Sequence, residues 1–450
     1  MSVRPAVAGS QPVTGGSWRR LHPLSPVVRF GRLLVAIVLI IVPSLEYARP
    51  RGDSGWLTPS LAVYLALLAA GSVAGVVSWL VTRWRIDGAD LRIETGFIRR
   101  QSFRIPLARI QAVDIVAPLA ARILGLAEVR VVSAGRGSEH GRLAYLTAAE
   151  APIARAALLA LAHGLAAETP EPLAVPLLKV SNVLLIPALS LRAAVSWPLT
   201  VAAGAIFVLV VSPSLGAALF GSGATLLLIG LLSVTRAYNE DFDFSISEAG
   251  DGVRLDRGLL QRRHETIPYG RIQAVRVLQP LLWRVFGWYR LEMDVARQHL
   301  SREGDPNAQQ VARTLLPVAS REQALWLLAR VMPHAGADPP PGSKPPPRAL
   351  VKAPLSLHFL RSWYGHRYVY ARTGRLQAAT MVVPMAKVQS VRFASGPVQR
   401  ALRLATVHID TAGRRWQASA RCRDQAEAEA MLWEISDRAR LARSQRAYLR

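Results

Sequence analysis

The pentapeptide Arg-Ile-Gln-Ala-Val stands at Arg109–Val113 and again, unchanged, at Arg271–Val275, and Lys387–Val391 reads KVQSV. A repeat this specific restricts the fold, because each copy must build the same supersecondary unit. Pro106, Pro268 and Pro384 serve as anchors. Ten residues before them stand Gly96, Gly258 and Gly374, and sixteen residues after them stand Arg122, Arg284 and Arg400. No gap is needed across that span.

Each copy has the same coarse reading. A strand such as Leu91–Thr95 meets the glycine turn, and a second strand runs to the proline. RIQAV then alternates, with Ile110 and Ala112 on one face and Gln111 and Val113 on the other. A short arginine-bearing turn follows (PLAARILG, PLLWRVFG, GPVQRALR). Next come the apolar strands Val129–Ser133, Leu291–Val295 and Val407–Thr411. Thr147–Glu150, Ser320–Gln323 and Asp424–Glu427 have capping-box spacing and open a closing helix. Ile153, Ala157 and Leu161 are the expected core face of the first of these helices.

Four apolar segments lie between these units: Leu33–Leu45, Leu61–Val81, Ala193–Ser212 and Leu215–Val234. The second has no charge and would be roughly 31 Å long as a helix, about one bilayer core. Leu33–Leu45 is short enough to be the core of a cleaved signal peptide, but no small-x-small cleavage site follows. Two transmembrane hairpins are the better reading. Gly71–Gly75 forms a GxxxG in the second segment, either a packing face or ordinary membrane-helix glycine. Arginine and lysine crowd the flanks that face the polar regions, so the positive-inside rule puts both termini and all large polar regions in the cytoplasm. Hydrophobic residues make up 51 %, mean hydropathy is +0.22, and net charge is +25. An apolar and basic chain points to membrane plus an anionic surface rather than to nucleic acid. The single cysteine, Cys422, excludes an intramolecular disulfide and a cysteine-cluster metal site.

The pattern Gly-x-x-[RQ]-R…[IV]-P-x-x-[RK]-[IV]-Q-x-V, with R-x-x-G after it, resembles the bacterial pleckstrin-homology-like domain of multi-pass membrane proteins. The order of segments is similar to that of its three-copy members. The resemblance implies a bent antiparallel sheet capped by a C-terminal helix, and no chemistry. The expected fold is α-helical membrane hairpins with four transmembrane helices, plus three α+β PH-like domains. The expected boundaries are a disordered 1–16, a hairpin at 27–81, a domain at 82–168, and an interfacial linker at 169–192. A second hairpin at 193–234, a domain at 235–333, a proline-rich linker at 334–348 and a domain at 349–442 complete it. Copy three departs at Arg403, where Gly125 and Gly287 stand in the others, and no hairpin precedes it. In the segment before it, Leu355, Phe359, Trp363 and Arg361 suit either an amphipathic anchor or a packed interdomain strand.

No catalytic constellation is present, so no enzymatic activity, metal or cofactor is expected. Nine histidines are scattered without ligand spacing. Glu240, Asp241 and Asp243 read as one face of a strand rather than a cation site. Gly135–Gly141 reads as a hairpin loop. The candidate contacts are basic: Arg99, Arg100, Arg109 and Arg122 in copy one, Arg262, Arg263, Arg271 and Arg284 in copy two, and Lys387 and Arg400 in copy three. Each cation beside an anionic leaflet contributes about 1 kcal/mol. The expected function is therefore a bacterial plasma-membrane protein whose cytoplasmic domains bind anionic lipid or another membrane protein. The alternative is a component exporting a lipid or peptide, against which stands the absence of ionisable residues inside the apolar segments.

Overall fold

The computed structural model describes residues 18–26, 28, scattered positions between 66 and 80, and then 81–96, 100–133, 142–171, 174–193, 223–250, 252–296, 313–335, 342–413 and 416–448. The chain divides into two units. The first comprises 1–173 with 260–266 and 298–300, and the second holds the remainder.

In the first unit, β1 (Arg19–Arg20), β2 (Arg83–Asp87), β3 (Asp90–Thr95) and β4 (Gln101–Pro106) form an antiparallel sheet in that order. β5 (Ile110–Pro118), β6 (Leu126–Ser133) and β7 (Arg142–Thr147) form the second half of copy one. A short α1 (Leu119–Ile123) joins β5 to β6, and α2 (Glu150–Ala162) closes the copy. Leu91, Ile93, Val113, Leu126, Val129 and Leu158 meet in its core.

The second unit holds copies two and three. Copy two has β8 (Val175–Lys179), β9 (Ser245–Ala249), β10 (Gly252–Arg257), β11 (Gln261–Pro268), β12 (Ile272–Pro280), β13 (Trp288–Val295) and β14 (Arg313–Ser320). The start of β11, 261–266, belongs to the first unit. α3 (Gly223–Asp241) leads into copy two and α4 (Arg321–Val331) closes it. Copy three has β15 (Arg361–Tyr364), β16 (Tyr368–Thr373), β17 (Gln377–Pro384), β18 (Val388–Ala394), β19 (Leu404–Thr411) and β20 (Ala418–Asp424), with α5 (Pro397–Ala401) and a long α6 (Gln425–Tyr448). Antiparallel PH-like sheet and a closing helix, as expected, are thus present in each copy.

The repeated residues have local reasons. Gly96, Gly258 and Gly374 all have left-handed φ, +95°, +109° and +92°. At Gly374 an added Cβ would lie 2.0 Å from the Gln377 carbonyl oxygen. Gly374→Ala is therefore expected to cost about 1–3 kcal/mol, read as a lower unfolding midpoint of the second unit. An unchanged midpoint would show that the turn relaxes freely. Each anchor proline ends its strand at φ near −60°, and a single 3-10 turn follows, Leu107–Arg109, Tyr269–Arg271 and Met385–Lys387.

The alternation expected for RIQAV does not hold, and the reason is a β-bulge. The register slips between Ile110 and Ala112, between Ile272 and Ala274, and between Val388 and Ser390. The glutamine is the extra residue each time. With one residue inserted, positions three apart share a face, so Ile110 and Val113 both enter one core. Ile272 pairs likewise with Val275.

Thr147–Glu150 and Ser320–Gln323 make the reciprocal capping bonds. Asp424 instead accepts from the Ala426 N–H, and Glu427 accepts from Ser343. The core face of α2 also differs from expectation. Ile153 is exposed, while Ala151, Ala154, Ala157 and Leu158 are buried.

Strand pairing also joins the copies. In the first unit, Ile115–Pro118 of β5 pair with Gln261–His264, the start of copy two's third strand. In the second unit, Val275–Pro280 of β12 pair with Gln377–Val382 of β17 in copy three. Single PH-like copies thus share sheets with their successors.

The four transmembrane helices must be corrected. Among the described residues no helix is long and apolar enough to cross a membrane. α3 has 19 residues, but Arg236, Glu240 and Asp241 occupy its last turns. Its apolar part, 223–234, would reach only about 18 Å, short of a ~30 Å hydrocarbon core. Leu33–Leu45 and Ala194–Ser212, and most of Leu61–Val81, lie outside the described residues, as do the Gly71–Gly75 pair, the Gly135–Gly141 loop and residues 1–16.

Candidate membrane-contact turns

In copies one and two the turn after the RIQAV strand carries exposed large apolar residues. In copy one Leu119 and Ile123 flank Arg122, and Ile123 is 76 % exposed. In copy two Leu281, Val285 and Phe286 surround Arg284, and Val285 is 81 % exposed. A left-handed glycine, Gly125 or Gly287, lets the chain reverse and holds these side chains outward. The turns are anchored from beneath. Trp283 is fully buried and donates its Nε1–H to the Ala188 carbonyl at 2.9 Å. Phe286 stacks on Trp288 with 4.8 Å between ring centres.

The glycine turn of the following copy adds to each surface. In the first unit β5 and 261–264 end side by side, placing exposed Leu260 and Arg262 near the Leu119 turn. In the second unit Leu281 donates its N–H to the Leu376 carbonyl, and both Leu376 and Arg375 are exposed. Large apolar side chains held in water beside cations form a surface suited to a lipid interface. Val183 and Ile186 project from the helical stretch 182–193, and Leu231 and Leu232 from α3. Leu259 donates its N–H to the Asn239 carbonyl at the end of α3.

Copy three lacks this surface. Ala401 stands where Ile123 and Val285 stand, and within the turn 397–403 Val398 is the one large apolar side chain left exposed. Arg403 takes the left-handed turn at φ +51°. Of the possible anchor before this copy, Phe359 lies under the Arg284 guanidinium at 5.5 Å and Trp363 stacks on Tyr370 at 4.9 Å. Packing accounts for both rings, while Leu355 stays exposed.

The basic candidates separate into two groups. Arg100, Arg109, Arg122, Arg262 and Arg400 are exposed. Arg263, Arg271, Arg284 and Lys387 are half-buried. Arg263 donates to Gln261 at 3.1 Å. Arg284 donates to the Arg375 carbonyl at 2.6 Å, and Lys387 donates to the Gly270 carbonyl, so these two tie copies two and three together. Arg99 lies outside the described residues.

Sequence reasoning missed a second class of arginine, one that is buried. Arg155 of α2 is 1 % exposed and donates to Glu171 at 3.0 Å and Thr266 at 2.7 Å. Arg423 holds Ser362 and Ser343. Arg290 donates to Asp241 at 2.9 Å, Glu292 at 3.1 Å and Thr314 at 2.7 Å. Burial opposes its charge, but Asp241 and Glu292 outweigh burial and raise its pKa. Nearby Arg192 is pushed down to about 10 by burial, then by Arg290. The acidic trio is not a strand face. Asp241 ends α3, Glu240 pairs with Arg236, and Asp243 pairs with Lys179. Spacing marks Arg236–Glu240, an i,i+4 pair, but not Asp241–Arg290 or Lys179–Asp243, whose partners lie far apart in the chain.

The model of the bacterial PH domain family matches residues 29–162, 176–333 and 347–439. The chain is 23 % identical over 347 residues to the UPF0699 transmembrane protein YdbT of Bacillus subtilis (strain 168), covering 70 % of this chain and 69 % of that protein. No solved structure matches. Three tandem matches, each enclosing one RIQAV-type bulge strand and reaching into or through one closing helix, show that the chain belongs to the bacterial PH domain family.

Proposed function

We propose that this is a membrane-associated bacterial protein whose first two PH-like domains rest their post-RIQAV turns on an anionic lipid surface, as binding modules without catalysis. The observation that carries this reading is the pair Ile123 and Val285, 76 % and 81 % exposed, each next to an arginine. An exposed apolar side chain costs nothing further to fold around, and lipid removes it from water for about 1.5–3 kcal/mol when burial is full. Arg122, Arg262 and Arg375 add charge attraction of about 1 kcal/mol each near an anionic leaflet. Supporting the reading are the family membership and the likeness to a protein named as transmembrane. The arginine and lysine that flank the apolar segments support a position of the domains on the cytoplasmic face of the plasma membrane. Copy three, with Ala401 and Arg403 at its tip and the half-buried Lys387 bonded to Gly270 of copy two, serves as a protein-side module.

Hydrogen exchange on the full chain in lipid nanodiscs tests this. Amides of 119–125 and 281–287 should be slowed in anionic discs relative to zwitterionic discs, and those of 397–403 should not. Equal exchange of all three turns in both lipids would contradict the reading.

A further inference from the structure

The two joints between copies use one register. In the first, Pro118 pairs with Gln261, and in the second, Pro280 pairs with Gln377. Pro118 lies twelve residues after Pro106, and Pro280 lies twelve after Pro268. Gln261 lies seven before Pro268, and Gln377 lies seven before Pro384. The RIQAV strand of a copy therefore has a fixed place for the third strand of the next. Two strands remain without such a neighbour among the described residues. β4, the third strand of copy one, is the last strand of its sheet. β18, the RIQAV-type strand of copy three, pairs only with β19. The loss of cover is visible residue by residue. Val113 and Val275 are fully buried, whereas the matching Val391 is only half-buried. Gln101, Ser102 and Arg104 of β4 are exposed, while Ala378 and Val382 of β17 are buried.

We propose that β18 of one molecule pairs with β4 of a second copy of this chain, joining molecules head to tail. A sheet edge is a template for another strand. Here the chain carries both halves of a joint that it already makes twice. The register of those joints sets Val391 opposite Arg104, Arg392 opposite Phe103, Phe393 opposite Ser102 and Ala394 opposite Gln101. Arg104 and Arg392 then do not face each other, so no like-charge pair opposes the joint. The contact is heterologous, one end against the other, and continues from molecule to molecule until a ring closes. It stands independently of lipid binding, since neither strand includes the apolar turns.

Cysteine cross-linking in native membranes tests the proposal with the full chain. Cys422 is buried and is replaced by serine in the background. Two differently tagged chains are co-expressed, one with Gln101→Cys and one with Ala394→Cys, both at exposed positions. Mild oxidation should give a dimer carrying both tags, at least tenfold more than Arg104→Cys with Ala394→Cys, which is out of register. A second in-register pair, Phe103→Cys with Arg392→Cys, should behave like the first. One chain carrying both Gln101→Cys and Ala394→Cys should give a ladder beyond the dimer. No mixed dimer from either in-register pair, from chains that keep the wild-type unfolding midpoint, would overturn the proposal. So would equal yield from the out-of-register pair, or capture of β18 or β4 only by a different protein.

Discussion

Asp241→Ala is expected to destabilise the second unit by roughly 3–5 kcal/mol, the cost of leaving a buried charge without its partner. Asp241 is 3 % exposed, accepts from Arg290 at 2.9 Å and lies 3.9 Å from Arg257. Arg290 and Arg257 are also buried, and Arg192 stands close enough to feel both Arg290 and Asp241. Removing one carboxylate leaves three guanidinium groups with Glu292 as the remaining close acid. Asp241 is also the last residue of α3, so the loss falls where that helix meets the copy-two sheet. Glu240, its neighbour, makes the contrast. Its pair with Arg236 is more than half exposed on both sides and contributes well under 1 kcal/mol. In mild detergent the Asp241→Ala unfolding midpoint should fall by about 10 °C, while Glu240→Ala stays near wild type. Equal shifts for the two variants would show that the network does not hold the helix to the sheet.

The combined variant Ile123→Asp, Val285→Asp and Phe286→Asp should abolish anionic-lipid contact while leaving the fold intact. All three side chains are more than half exposed, so the folded state loses little beyond the stacking of Phe286 on Trp288, about 0.5–1.5 kcal/mol. At a lipid surface each loses apolar burial of about 1–2 kcal/mol and gains repulsion from the leaflet. The sum exceeds about 3 kcal/mol, a change of more than a hundredfold in occupancy. The lipid-dependent slowing of exchange at 119–125 and 281–287 should vanish with a fall of no more than about 5 °C in unfolding midpoint. Persisting protection would mean that the turns are covered by protein.

The sequence carried the copy number, the closing helices and most strands, because these follow from short-range periodicity and from prolines and glycines at fixed offsets. RIQAV itself was legible as a packing strand but not as a bulge. Both Ile110 and Val113 are apolar, and only the pairing with Ser133 and Val132 reveals that Gln111 is the extra residue. The joints were hidden for a related reason. Gln377–Val382 reads as an ordinary strand, and nothing in it names Val275–Pro280 as its neighbour. Charge counting found the arginines yet could not sort them. Arg284 and Arg122 occupy the same repeat position, but Arg284 is bound to the Arg375 carbonyl and to Phe359, while Arg122 is exposed. The apolar companions Ile123 and Val285 were passed over because exposure is a property of the folded chain.

The most direct test of the membrane-contact account is depth-dependent quenching of a single fluorophore on the reconstituted full chain. The label is placed at Val285→Cys, with the equivalent Ala401→Cys as reference, in the Cys422→Ser background. Brominated anionic lipid should quench the label at 285 strongly and the label at 401 little. Equal quenching at the two positions, or none at 285, would contradict it.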